Sequence, residues 1–216
     1  MTKPSRTRCP AFAPWMLLCW TAACTPQGDP PLEATGFHDD FERDELGPAW
    51  HNTGGPYELV AGELRAHGAR NRPLWLRRRL PDDVRIEFDV HSESKDGDIK
   101  VEVFGDGHSH ATTTSYTATS YVVIFGGWNN RYNVLARMDE HGKDRIEGPR
   151  FPVEQGTTYH MKIERQAGHL RVWANDTQIL ELDDPKPLRG KGHDHFAFNN
   201  WRSDVYFDNL HITTPK

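Results

Sequence analysis

Short segments that alternate apolar and polar residues fill this chain from Phe37 onward, and no long helical pattern interrupts them. In Val84–Val90, Val84, Ile86, Phe88 and Val90 face one way while Arg85, Glu87 and Asp89 face the other. Ile99, Val101 and Val103 oppose Lys100 and Glu102, and Tyr159, Met161 and Ile163 oppose His160, Lys162 and Glu164. Tyr121–Phe125 is a nearly continuous apolar run, the pattern of a strand buried on both faces. Leu170 to Leu182, Phe196–Phe198 and Val205–Leu210 complete the set. Gly- and Asp-rich turns separate the segments, at Asp96-Gly97, Gly105-Asp106-Gly107, His141-Gly142 and Gly190-Lys191-Gly192. Many short strands with regular turn signals predict an all-β protein, a two-sheet antiparallel β-sandwich or jelly roll. Residues 37–216, roughly 180 in number, suit one such domain.

The first two dozen residues read differently. Lys3, Arg6 and Arg8 form a positive head, Ala11–Ala23 is apolar or small, and the stretch closes on Ala22-Ala23-Cys24. A charged head, a short apolar stretch and small residues before a cut predict a secretory signal over 1–23. The small pair before Cys24 resembles the bacterial lipobox, with Thr21 where that motif usually carries Leu. The resemblance implies that Cys24 is acylated and becomes the mature N-terminus. Thr25 follows it where Asp would favour inner-membrane retention, which implies an exported, outer membrane-anchored lipoprotein. All 3 cysteines lie in this leader, so the exported domain cannot use disulfides and its core must carry stability. Residues 24–36, rich in Pro and Gly, read as the lipidated Cys and a flexible tether.

The formal charge of −5, from 26 Lys+Arg against 31 Asp+Glu, makes nucleic acid an unfavourable partner. The short basic run Leu76-Arg77-Arg78-Arg79-Leu80 splits its arginines between two strand faces, as a solvated strand does. No apolar run reaches the roughly 18–20 residues of a membrane span, so membrane contact is expected only through the N-terminal anchor, on a monomer. Phosphate-cradling loops, a nucleophile elbow and thiol chemistry are missing as motifs.

Three further stretches carry a family resemblance. Asp39-Asp40-Phe41, Leu46-Gly47-Pro48-Ala49-Trp50 and Tyr57–Leu64 look like the opening of concanavalin A-like jelly rolls. Tyr159–Leu182 is similar to the paired strands of laminin-G and glucanase-like domains, with Asn175-Asp176 at the turn that is usually Asn-Gly. Phe196–Ile212 resembles the closing strand of the same superfamily. The chain looks most like bacterial 3-keto-disaccharide hydrolase-type domains within it. The resemblance implies fold far more than activity.

Glycosidases of that fold carry carboxylates on one strand, facing the concave cleft. Glu87 and Asp89 come close to their spacing, with His91 and Glu93 on the same face, and Asp139 is a further carboxylate candidate. The alternative is a solvated strand face balanced by Arg85. The pairs His108-Ser109-His110 and His193-Asp194-His195 each place two imidazoles on one strand face, which suits a transition metal or two exposed turns. In calcium-bearing members of the superfamily the first and last strands hold a structural Ca²⁺, which implies Asp39, Asp40 and Asp208 as ligands here; turn capping by Asp is the alternative.

The stretch most suited to sugar is Phe125-Gly126-Gly127-Trp128-Asn129-Asn130-Arg131, with Asn133 and Arg137 beyond it and Asn199-Asn200-Trp201-Arg202 later in the chain. Aromatic rings stack on the C–H faces of sugars, while Asn and Arg bond hydroxyls. Trp128, Asn129, Asn130, Arg137, Asn199, Asn200 and Trp201 are therefore the candidate carbohydrate-binding residues. Three functions remain open: a carbohydrate-binding module, a glycan-cleaving enzyme, and a structural envelope module.

Overall fold

The structure, a computed structural model, describes residues 28–113 and 116–215. The leader, Cys24 and the first tether residues lie outside the described residues. Among the described residues no helix is long and apolar enough to cross a membrane.

Alternation produces the expected two layers. One sheet takes β1 (Phe37–Asp39), β3 (Tyr57–Val60), β4 (Glu63–His67), β6 (Val84–Ser92), β11 (Tyr159–Gln166), β12 (His169–Ala174), β13 (Thr177–Asp183) and β15 (Asp204–Thr213). Its order is β13-β12-β11-β6-β15-β4-β3, with β1 also on β15. The other takes β2 (Trp50–Asn52), β5 (Leu74–Leu76), β7 (Ile99–Gly105), β8 (Tyr121–Gly126), β9 (Tyr132–Arg137), β10 (Ile146–Glu147) and β14 (His195–Asn199), in the order β10-β9-β8-β7-β14-β5-β2. Every pairing between strands is antiparallel. This is a β-sandwich jelly roll.

Between the layers the inward residues form one core. Phe198 sits at its centre, 4.3 Å from Phe207 and 5.6 Å from both Phe88 and Trp50 between ring centroids. Burying each such ring contributes about 1.5–3 kcal/mol, which is what a domain without disulfides needs. The eight-stranded sheet leaves its other face to solvent, and β6 alternates buried and half-buried along its whole length.

The seven-stranded sheet does not. β7, β8 and β14 are buried at every position, so both of their faces are covered. A second, smaller apolar cluster of Ala118, Val122, Ile124, Val134 and Ala136 lies on the outer side, with Tyr116 and Trp128 packed on it.

The N-terminal segment is held earlier than its composition predicts. Arg79 N donates to Pro30 O, Leu32 N donates to Arg79 O, and the Asp29 carboxylate lies 3.1 Å from Arg77 and 3.3 Å from His195. Residues 29–32 are thus docked on the domain, and the flexible reading of 24–36 does not hold for them.

Candidate functional site

One cavity of about 350 Å³ opens on the outer side of the seven-stranded sheet, where β7 begins and where β8 and β14 end. Trp128 and Asn129 reach it from the β8–β9 turn, and Trp201 reaches it from the loop after β14. Because β8 and β14 are the two neighbours of β7, these walls rise from strands about 10 Å apart. The two Trp/Asn segments therefore meet at one place.

The turn that presents Trp128 is strained. The helical element Gly127–Asn130 is wound left-handed, with φ of 50° at Trp128 and 59° at Asn129. Left-handed conformations cost an L-residue roughly 1–2 kcal/mol, and a bulky Trp has no side chain–backbone bond to offset that. Gly126 makes the turn possible, at φ 74°, since a Cβ there would come within 2.6 Å of Val153. Asn130 clamps it by donating to Val153 O and Lys95 O and accepting from Val153 N. The guanidinium of Arg145 lies 4.5 Å from the Trp128 ring and holds it from one side.

The floor holds charged groups that alternation alone assigns to a solvated face. Lys100, buried at the start of β7, donates to Asn71 Oδ1 at 2.9 Å and sits 2.7 Å from Glu140 Oε2. Burial pushes the ammonium down, but Glu140 and Asp98 beside it hold it above the usual lysine value. Burial likewise pushes Glu140 up, and Lys100 more than cancels this, so Glu140 stays ionised. Asp98 accepts from Trp201 N at 2.6 Å and Arg202 N at 3.3 Å through the same oxygen. Desolvation nevertheless raises its carboxyl above the ordinary range. Its other oxygen accepts no hydrogen bond among the described residues.

Below this cluster lies Glu102, fully buried. It accepts from Ser120 Oγ at 2.6 Å, Asn199 Nδ2 at 2.9 Å and the Tyr116 hydroxyl at 3.1 Å. Burial outweighs those bonds and pushes it up to about 7.

The remaining sugar candidates brace the site rather than line it. Asn199 spends its side chain on Glu102 and on Asn200 N. Asn200 accepts from Ala69 N and donates to Ala66 O and Ser203 O, which ties the loop of Trp201 to β4. Arg137 points elsewhere, to Asp184 at 3.1 Å. Asn133 also braces, accepting from Gly126 N.

The carboxylate candidates lie outside the cavity. Glu87 and Asp89 stand on the solvent side of β6, in the other sheet, away from the cavity. There they face His160, at 3.7 Å and 2.8 Å, and Asp89 also accepts from Asn209 Nδ2. Alternation identifies which residues share a face but not which sheet's outer face carries the cavity. Asp139 is exposed and caps its own turn through His141 N, while its neighbour Glu140 is the one that enters the cavity.

The candidate metal ligands are already engaged by protein groups. The Asp39 carboxylate already accepts from Phe41 N, from both terminal nitrogens of Arg43, and from Trp50 Nε1 at 2.8 Å. The Arg43 guanidinium thus already neutralises this carboxylate. Asp40 caps Glu42 N, and Asp208 accepts from Asn209. His108 and His110 lie in an exposed turn, His193 Nδ1 lies 2.7 Å from Thr119 O, and His195 sits between Asp194 and Asp29. No group of three or more potential ligands gathers among the described residues. Neither added Ca²⁺ nor a chelator should therefore shift Tm, as measured by scanning calorimetry; a rise that saturates with Ca²⁺ would contradict this.

No protein-family model matches the chain, and no curated protein matches it in sequence. Solved structures do match in shape. Carbohydrate binding module CBM66 from Bacillus subtilis is 12% identical, with a TM-score of 0.58 over 77% of this chain and 96% of that one. The exoplasmic/lumenal domain of VIP36, in a Ca²⁺/Man3GlcNAc-bound form, is 10% identical, with a TM-score of 0.64 over 86% of this chain and 91% of that one. A β-glucanase from Bacillus licheniformis is 8% identical, with a TM-score of 0.59 over 88% of this chain and all of its own. The fold is thus a jelly-roll β-sandwich of the kind found in a carbohydrate binding module and a β-glucanase alike.

Proposed function

We propose that this domain is a carbohydrate-binding module, and that the cavity at the start of β7 is its glycan site. The observation that carries the reading is the convergence of Trp128 and Trp201, from loops far apart in sequence, over Asp98 and Lys100. Partly exposed rings offer stacking surfaces for sugar C–H faces, and the free Asp98 oxygen with the Lys100 ammonium offers an acceptor and a donor for hydroxyls. Asn129 adds a polar side chain at the rim. The structural neighbours include a carbohydrate binding module and a sugar-bound lectin domain, which agrees with this reading.

Cleavage needs a carboxylate free to act as base or nucleophile. Asp98 keeps an unbonded oxygen, but glycoside cleavage takes two carboxylates in separate roles, and its neighbour Glu140 is held by Lys100, so retention of glycan without product release is expected. The module is monomeric in this reading and hangs from the outer membrane by an acylated Cys24.

A glycan array probed with residues 25–216 tests the site. Trp128→Ala or Trp201→Ala should weaken retention by about tenfold with the fold intact by circular dichroism, since lost stacking and lost buried area together approach 1.4 kcal/mol. Unchanged retention in both variants would remove the site. Mass spectrometry of the mature N-terminus should find a di- or triacylated Cys24; an unmodified start elsewhere would end the anchor.

A further inference from the structure

The outer face of the seven-stranded sheet is closed over its middle. Trp75, Ala197, Glu102, Val122 and Ala136 pair in register across five strands, and each is at most 2% exposed. The chain between β7 and β8 lies over this row. Trp75 Nε1 donates to Ser109 O, the Tyr116 hydroxyl donates to Glu102, and Ala118 N donates to Met138 O. The next row outward is Asn199, Lys100, Ile124 and Val134, and it supplies the floor of the cavity through Lys100 and Ile124. The cavity begins two residues, about 7 Å, from the closed row.

Its other sides are also walled. Trp128 and His141 stand on the β8–β9 side. On the β14 side the loop of Trp201 is clamped by a second loop: Gly68 N donates to Ser203 O, Arg70 N to Trp201 O and Asn71 N to Asn200 O. The β6–β7 turn closes the fourth side, where Asp98 accepts from Trp201 N. A groove that holds the interior of a polysaccharide needs two open ends, one for each direction of the chain. Here a wall stands on each of these four sides, with a shallower depression lined by Lys143, Arg145 and Glu147 beyond His141, and a volume of about 350 Å³ is near the small end of the roughly 300–1,000 Å³ of ligand sites.

We infer that the cavity takes only the terminal sugar unit of a glycan, end-on between Trp128 and Trp201, with the rest of the chain directed to solvent. The inference rests on the carbohydrate reading above and narrows it to chain ends. Lys100, Asp98 and Asn129 then contact the hydroxyls of that last unit, which an internal unit would have committed to its next linkage.

Isothermal titration of residues 25–216 with malto-, laminari-, xylo- and fructo-oligosaccharides of about two to eight units, and with any other series the array retains, tests this. For the series that binds, stoichiometry should stay near one protein per chain end, and affinity should change less than about threefold with length. Several proteins per long chain, or affinity that climbs more than about tenfold with length, would overturn end-on binding while leaving the carbohydrate site standing. If no series and no arrayed glycan is retained, the carbohydrate reading itself is refuted, and end-on binding falls with it.

Discussion

Lys100→Met should destabilise the domain by about 3–5 kcal/mol, the usual cost of removing one partner from a buried ion pair. Methionine keeps most of the lysine stem, so little packing is lost. The loss comes from Glu140, whose carboxylate would remain buried with Asn71 and His141 nearby and no ammonium at 2.7 Å. At roughly 2–4 °C per kcal/mol for a chain of this size, Tm should fall by about 10 °C at pH 7. Adding Glu140→Gln to the same variant should restore most of the loss, because a buried pair is worth little against a neutral replacement of both members. Scanning calorimetry of the two variants checks this. An unchanged Tm in Lys100→Met would show that the floor of the cavity is solvated and that the ion pair is not buried.

Glu102 should make the domain less stable as pH rises from about 5 to about 8. Its folded carboxyl titrates at about 7 against an ordinary value of 4.5, because it is buried under the β7–β8 chain. Between those two values the folded state binds more protons than the unfolded state, so stability falls with increasing pH. The stabilisation is complete below about 4.5 and gone above about 7. A gap of that width corresponds to about 3 kcal/mol. Glu102→Gln keeps the shape and removes the titration, so the variant should match the parent at pH 5 and exceed it by up to about 3 kcal/mol at pH 8. Asp39 acts on the other side of this window. Burial would raise it, but Arg43 and Trp50 hold it below the usual carboxylate value, so its contribution is present above the unfolded value and lost only as pH falls below about 4. Stability should therefore peak near pH 5. Urea titrations across that range, read by tryptophan fluorescence, give both slopes. Parallel pH profiles for Glu102→Gln and the parent would contradict the assignment.

The architecture was readable because its signals are local. Val84–Ser92 buries every second residue as its alternation implies, and the apolar run at Tyr121 becomes a strand covered on both faces. Trp128 and Trp201 were readable as a pair because Gly126 and a cluster of Asn mark turns on either side. The floor was not. Lys100-Val101-Glu102 alternates like a solvated strand, and only the later chain over β7 makes its polar side an interior. Asp98, Lys100 and Glu102 do form one same-face charged series, and three charges at alternate positions were the available signal. Glu140 was missed by one residue, since Asp139 and Glu140 are indistinguishable until the turn at 139–142 puts one outside and one in. That Arg43 and Trp50 fold back onto Asp39 was not legible either, since nothing in the spacing of these three residues marks it.

The proposed glycan site lies at the start of β7, on the outer side of the seven-stranded sheet. The indole N–H resonances of the tryptophans report on it directly, because Trp128 and Trp201 line the cavity while Trp50 and Trp75 are buried and Trp173 lies on the opposite sheet. On titration with an array-selected glycan, followed by two-dimensional NMR of the ¹⁵N-labelled protein, the Trp128 and Trp201 signals should shift and saturate together while that of Trp173 stays fixed. Saturable binding that moves Trp173 and leaves Trp128 and Trp201 in place would put the ligand on the other face and contradict the account.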